Sequence, residues 1–175
     1  MSLSFRNATL HDIPLLRRWD EQPHVLAADP NHNWSWEEDL SRPSPWREQF
    51  IAEADGRPVG FLQILNAARE ESHYWGDVLE TVRAIDIWIG EPTDLNRGFG
   101  TVMMSWAIAR CFSDPQVTEV WVDPLVSNTR ARRFYERLGF RFLERRRFGI
   151  DECAVYSLER AQHERLRSQC SGALP

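Results

Sequence analysis

Short alternating apolar runs and longer runs of helical period follow one another along the chain, and their order predicts the architecture. Leu3 to Asn7 reads as a strand. Thr9-Leu10-His11-Asp12 has the form of a capping box, opening a helix that turns Ile13, Leu15, Leu16 and Trp19 inward. Pro14 falls in its first turn or just beyond it, where a missing N–H costs at most one bond. From Gln22 to Pro45 the character changes: Pro23, Pro30, Pro43 and Pro45 interleave with Trp34, Trp36 and Trp46 and with Glu37, Glu38 and Asp39, which reads as a structured, partly helical excursion. Gln49 to Ala54 and Val59 to Asn66 are β-rich runs joined by Asp55-Gly56-Arg57-Pro58, an antiparallel hairpin.

Ala67 to Val82 is polar and acidic around Tyr74 and Trp75, and reads as a loop over a site. Arg83 to Gly90 is the next strand, followed by a helix reaching about Phe112 that Asp114-Pro115 breaks, and by a strand over Val117 to Val122. Asn128 to Leu138 is amphipathic, with Ala131, Phe134, Tyr135 and Leu138 at helical spacing and Gly139 placed to close it in a left-handed conformation. Phe140 to Phe148 and Ala154 to Leu158 read as two further strands, and a charged tail follows from Glu159. The order predicts a mixed α/β layer in which helices cover a largely antiparallel sheet.

Composition narrows the function. The 175 residues, 42% hydrophobic, fit one domain over 1–175. A net charge of -5 disfavours nucleic acid and anionic membranes as partners and suits a cationic one. Cys111, Cys153 and Cys170 are far apart and lack CxxC spacing, and His11, His24, His32, His73 and His163 share no ligand spacing, so a reducing compartment and no metal are expected. The first residues lack a basic-then-apolar segment, and no apolar stretch approaches the ~20 residues that span a bilayer. A soluble, cytoplasmic protein is expected.

The chemistry gathers at Leu95-Asn96-Arg97-Gly98-Phe99-Gly100-Thr101, just before the apolar run Val102 to Ala109. Gly98 and Gly100 let the main chain approach a ligand without Cβ atoms in the way, and the N–H groups freed at a helix start then face it. The helix dipole and Arg97 add positive charge, which makes a phosphate cradle. By itself the spacing also fits an ordinary turn before a helix.

That loop, the element order and the run Asn128-x-x-Ala131 followed by Phe134-Tyr135-Glu136-Arg137-Leu138-Gly139-Phe140 resemble the GNAT superfamily of acetyl-CoA-dependent N-acetyltransferases over nearly the whole chain. Asp123-Pro124 with Ser127-Asn128-x-Arg130-Ala131, the Val82 to Asp86 strand and the acidic loop around Trp75 are similar to bacterial aminoglycoside 6′-N-acetyltransferases. Trp19 and Pro23-His24 are shared with acyltransferases of hydroxamate siderophore assembly. The superfamily loop often starts with Gln or Arg where Leu95 stands here, which leaves the backbone N–H groups as the main pyrophosphate ligands. The resemblance implies an α+β fold with a central, largely antiparallel sheet of six to seven strands and helices on both faces. It also implies acetyl-CoA as cosubstrate, held by Ile87, Trp88, Ile89, Arg97, Gly98, Phe99, Gly100, Thr101, Asn128 and Ala131. In that picture the strand at Ile87 to Ile89 pairs with the pantetheine arm and offers an N–H to the thioester oxygen.

Acetyl transfer to an amine needs a proton acceptor, donors for the oxyanion and a proton for the thiolate. Asp86 is the candidate base: strand parity sends it and Trp88 to the face opposite Ile85 and Ile87, and a carboxylate there requires a purpose or a partner such as Arg83. Asp123 ends the following strand, where it either faces a cationic acceptor, as the resemblance implies, or caps the turn before Pro124. Tyr135 is either the superfamily's proton donor to the thiolate or a core aromatic, and Asn128 a pantetheine ligand, an N-cap, or both. Trp75 and Tyr74, with Glu70, Glu71, Asp77 and Glu80, suit a lid over a polycationic sugar or a solvated acidic loop, and Trp34, Trp36, Glu37, Glu38 and Asp39 suit the opposite wall. Arg130, Arg132 and Arg133 either meet the 3′-phosphate of coenzyme A or are solvated, and Arg145, Arg146 and Arg147 pair with Glu144, Asp151 and Glu152 or lie exposed.

The expected activity is direct transfer of acetyl to a primary amine of an aminoglycoside, the 6′-amino group first, in a ternary complex. No cysteine is expected at the site, so no acyl-enzyme is. A siderophore precursor, a polyamine or a peptide N-terminus are the alternative acceptors, and an acyl-CoA-binding module without turnover is the alternative class. The expected partner is a small cationic molecule, and the protein a monomer or weak homodimer.

Overall fold

Seven strands form one sheet: β1 (Ser4–Asn7), β2 (Arg47–Ala54), β3 (Arg57–Asn66), β4 (Val82–Ile89), β5 (Glu119–Val122), β6 (Arg141–Phe148) and β7 (Asp151–Glu159), in the order β1-β2-β3-β4-β5-β7-β6. Every neighbouring pair is antiparallel except β4 and β5. The computed structural model describes residues 2–31, 34–42 and 44–171, leaving aside the side chains at 170 and 171. His32, Pro43 and the Cys170 thiol therefore lie outside the described residues. No helix among the described residues is long and apolar enough to cross a membrane.

The two faces of the sheet are covered by different helices, as the parity of β4 dictates. Ile85 packs with Met103, Met104, Ala107 and Ile108 of α4 (Phe99–Ser113) and with Tyr135 of α5 (Thr129–Arg137). Trp88, pointing the other way, joins Leu16 and Trp19 of α1 (Ile13–Asp20), Trp36 of α3 (Trp36–Ser41), Ile51 and Phe61. The proline-rich excursion supplies α2 (Pro23–Ala28) and α3, where Pro23 at the first position of α2 gives up an N–H that a helix start leaves unpaired anyway. The capping box opens a 3-10 turn, with Asp12 accepting from the Thr9 N–H at 2.8 Å and from the Arg6 guanidinium at 2.7 and 2.8 Å.

The charged tail is instead a helix, α6 (Arg160–Ser171). Its first turn is docked by polar contacts, which is why the apolar pattern hid it: the Arg160 guanidinium donates to the carbonyls of Phe112, Asp114 and Val117, and Gln162 donates to the Gly139 carbonyl at 2.5 Å.

The parallel junction is where the sheet comes apart. β4 pairs with β5 only through Val82, Ala84 and the residue between, although β3 follows β4 as far as Ile89. Beyond Val122 the chain bonds to β7 instead: Ala154 N–H donates to the Pro124 carbonyl and Val126 N–H to the Glu152 carbonyl, both at 2.8 Å. Pro124 has no N–H to offer a ladder. The second half of β4 therefore diverges from residues 122–126, leaving a wedge-shaped gap.

A buried carboxylate fixes the loop that leads into α4. Asp94, 1% exposed, accepts both guanidinium nitrogens of Arg57 at 2.6 and 2.8 Å and one of Arg97 at 2.9 Å. These partners hold its carboxyl below the usual carboxylate range, Arg57 contributing most. Its folded-state value is depressed, so the stabilisation is present above the unfolded-state pKa and is lost as pH falls through the folded-state one. Asp94→Asn should lower the unfolding free energy by about 1–3 kcal/mol at neutral pH, the lower part of the range reflecting two half-exposed arginines. Urea denaturation checks it, and the difference from wild type should shrink as the pH is lowered.

Candidate active site

Gly98 begins the site on one side of the sheet. It is the N-cap of α4 with φ +83°, a left-handed conformation that a side chain would strain, and no side chain caps this helix end. The N–H of Thr101 bonds back to the Gly98 carbonyl at 3.1 Å, so the N–H groups of Phe99 and Gly100 are the ones left facing outward. A Cβ on Gly100 would meet only the Phe134 ring at 3.8 Å, an ordinary contact, so the protein's own packing does not require glycine there. The space it leaves fits a ligand drawn close to the main chain. Arg97 lies at the rim but is turned onto Asp94, its guanidinium 5.1 Å from the Phe99 ring centre. Across from it Arg130 on α5 donates to Asn96 at 2.8 Å, and Arg133 is exposed. Arg132 is structural, donating to the Tyr156 hydroxyl at 3.1 Å and to the Val126 carbonyl at 3.2 Å.

The gap between β4 and β5 holds a cavity of about 180 Å³ lined by Ile85, Asp86, Ile87, Trp88, Asp123, Asn128, Ala131, Tyr135 and Cys153, among others. The carbonyl of Val82 accepts from Ala67 on the β3 side, whereas that of Ile89 accepts from His24 Nε2 at 2.8 Å. By strand alternation Ile87 therefore presents its N–H and C=O to the gap, where no strand pairs with it. Asn128 caps α5, its side-chain oxygen accepting from the Ala131 N–H at 3.0 Å, and its amide nitrogen remains available on the cavity wall. Tyr135 is 9% exposed and belongs to the core cluster, yet it lines this cavity too. Burial, with the charges of Asp86 and Asp123, raises the pKa of its phenol, so the hydroxyl stays protonated.

A second cavity, of about 680 Å³, opens on the α1–α3 side and meets the first at Asp29, Trp34, Tyr74, Asp86 and Asp151. Its lining carries the carboxylates of Asp29, Asp39, Glu70, Asp86 and Asp151 against one guanidinium, Arg47, which is already paired with Asp39 at 2.7 Å. Asp86 accepts from Gln63 Nε2 at 2.6 Å, its cross-strand partner on β3, and Arg83 bonds Asp114 and the Glu80 carbonyl instead. Burial pushes the Asp86 carboxyl up to about 6, with the Gln63 bond opposing. Asp123 is pushed to about 8, by burial first and then by the charge of Asp86. The Tyr74 hydroxyl donates to Asp123 Oδ2 at 2.7 Å, so the side chain does more than cap a turn.

The acidic lid is brought in only in part. Trp75 is buried on the cavity wall with its ring edge against Trp121 and Phe148, while Tyr74 and Phe148, stacked at 4.1 Å, present the aromatic surface. Glu70 accepts from the N–H groups of Ser72 and Tyr74 and so shapes the loop. Asp77 is exposed and outside both cavities, and Glu80 pairs with Arg69 beside a separate polar cavity of about 290 Å³. On the opposite wall Trp34 and Asp39 line the larger cavity, Trp36 is buried behind them, and Glu37 and Glu38 pair with Arg17 and Arg42.

One expectation is overturned. Cys153 on β7 lines the gap, because the register that pulls residues 124–126 onto β7 also turns this side chain inward. Burial, and next the charge of Asp123, push its thiol up to about 12, which keeps it in the poorly nucleophilic protonated form.

Sequence reasoning missed Gln63, Asp29, Asp151 and Phe148. Gln63 had a signal, as the one polar side chain between Val59 and Leu65; the others come from distant elements that only the fold assembles.

Residues 8–148 match the family model described as an acetyltransferase (GNAT) domain. The aminoglycoside N(6′)-acetyltransferase type 1 of Klebsiella pneumoniae is 30% identical over 153 residues, 79% of this chain and 74% of that protein. The lysine N-acyltransferase MbtK of Mycobacterium tuberculosis is 28% identical over 167 residues, 88% of this chain and 76% of that protein. The crystal structure of aminoglycoside acetyltransferase AAC(6′)-Ib in complex with coenzyme A and kanamycin superimposes with a TM-score of 0.84 at 27% identity, covering 95% of this chain and 99% of that one.

Proposed function

This chain belongs to the GNAT acetyltransferase family, and from that premise we propose that it transfers acetyl from acetyl-CoA to a primary amine of an aminoglycoside, most readily the 6′-amino group. The observation that carries the reading is the meeting at Asp86 of an acidic, aromatic-walled cavity with the gap in the sheet. A polyamine sugar matches a cavity with five carboxylates, and its ring C–H surfaces match Tyr74, Phe148, Trp34 and Trp46.

The pyrophosphate of the cosubstrate binds the outward N–H groups at the start of α4, and the pantetheine arm runs through the gap along Ile87, Asn128 and Ala131. Asp86, ionised above about pH 6, takes a proton from the acceptor's ammonium. The freed lone pair forms a C–N bond with the thioester carbon, and the carbonyl electrons move onto oxygen, where the Ile87 N–H stabilises them. Collapse breaks the C–S bond as Tyr135 gives its proton to the departing sulfur, and the second proton of the acylated nitrogen passes to the Tyr135 phenolate, which leaves a neutral amide, free thiol and the phenol restored. The protonated Cys153 forms no acyl intermediate, so transfer is direct.

The test is an acceptor panel read by release of free thiol from acetyl-CoA. Kanamycin and tobramycin should support turnover, and lysine derivatives and spermidine should not. The reverse pattern removes the aminoglycoside reading and favours the siderophore-type or polyamine acceptor.

A further inference from the structure

We propose that Tyr74 is a positioning residue for this reaction: its hydroxyl holds one oxygen of Asp123 and thereby turns the other toward the acceptor's ammonium. The inference rests on the reading above, in which Asp123 faces the acceptor.

Three contacts fix Tyr74 although its side chain is about half exposed. Its N–H donates to Glu70 Oε2 at 2.9 Å, its ring lies on Phe148 with 5° between the planes, and its hydroxyl reaches Asp123 Oδ2 at 2.7 Å, 49 residues away. Tyr74 thus spans the boundary between the acceptor cavity and the gap. The groups facing Asp123 are otherwise anionic or neutral: Asp86 on β4, Asp29 after α2, Tyr135 on α5, and Asp151 and Cys153 on β7. No arginine lines this gap among the described residues. Tyr74 is therefore the side chain lining this gap that opposes burial and the Asp86 charge and eases ionisation of Asp123 when the acceptor's ammonium arrives, since a donated hydrogen bond favours the charged carboxylate.

Tyr74→Phe keeps the ring on Phe148 and removes only the oxygen. With the full chain and no acceptor present, the carboxyl carbon of Asp123 followed by NMR should titrate about one pH unit higher in the variant than in wild type. With a working acceptor, kcat/KM should fall about tenfold, mostly through KM, and its acidic limb should move to higher pH, with coenzyme A affinity and melting temperature unchanged. Phe148→Leu, which removes the stack and leaves the hydroxyl, should leave the Asp123 titration in place. If Tyr74→Phe fails to fold, Tyr74→Leu asks the same question with no donor in place, and Phe148→Leu controls for the lost stack. An unchanged Asp123 midpoint in the variant lacking the hydroxyl overturns the proposal. Failure of every aminoglycoside in the wild-type panel sinks only the substrate reading, because the titration needs no turnover.

Discussion

Asp86→Asn should lower kcat/KM by about 10²- to 10⁴-fold, the range a positioned general base contributes. Asparagine has the same shape, and its side-chain oxygen still accepts from Gln63, so the local geometry survives. What disappears is the charge. Because burial already disfavours that charge, the variant should melt at the wild-type temperature or above it. In wild type kcat, read at saturating acceptor so that Asp123 is already paired, should fall as pH drops below about 6, where Asp86 takes up a proton, and the asparagine variant should lack that limb. Initial rates across pH, with calorimetry for coenzyme A affinity, decide the matter. A variant that keeps a third or more of the wild-type rate removes Asp86 from the reaction and leaves it a structural carboxylate.

Gly100→Ala tests the other half of the site and separates binding from stability. The added methyl meets only Phe134 at 3.8 Å, and alanine is the better helix residue by up to about 1 kcal/mol, so the protein should be as stable as wild type or slightly more so. Coenzyme A affinity should nevertheless fall about tenfold or more, because the methyl stands where a diphosphate approaches the Phe99 and Gly100 N–H groups. Calorimetric titration with coenzyme A, alongside thermal melting, gives both numbers. If affinity is unchanged, the start of α4 is not the diphosphate site. Gly98→Ala would not discriminate so well, since a φ of +83° penalises any side chain whether or not a ligand is near.

Much of this protein is legible along the chain because its elements announce themselves locally. The Gly98 loop before an apolar helix and the Asn128 helix closed by Gly139 fell where their residues put them, and the hairpin formed with a tighter turn than expected, Arg57 and Pro58 of the four joining residues already belonging to β3. The parity of β4 correctly separated Asp86 and Trp88 from Ile85 and Ile87. Helix α6 was invisible because arginine-to-carbonyl bonds, not an apolar stripe, dock its start. Asp77 and Glu80 looked equivalent to Asp86 in a linear count of acidic residues, but the loop leaves one in solvent and the other on Arg69.

Sequence alone determined the chemistry on offer: a glycine pair before a helix, a carboxylate inside an apolar strand, and an acidic chain suited to a cationic partner. Local propensity and period suffice for these, since each depends on neighbours a few residues away. Tertiary structure decided which groups meet. The parting of β4 from β5, caused by residues 124–126 bonding to β7, created the gap and turned Cys153 into it. Gln63 reached Asp86 through strand register, and Tyr74 reached Asp123 across 49 residues. Those contacts are long-range, and with them come the raised carboxyl pKa values, which depend on how far each charge is taken from water.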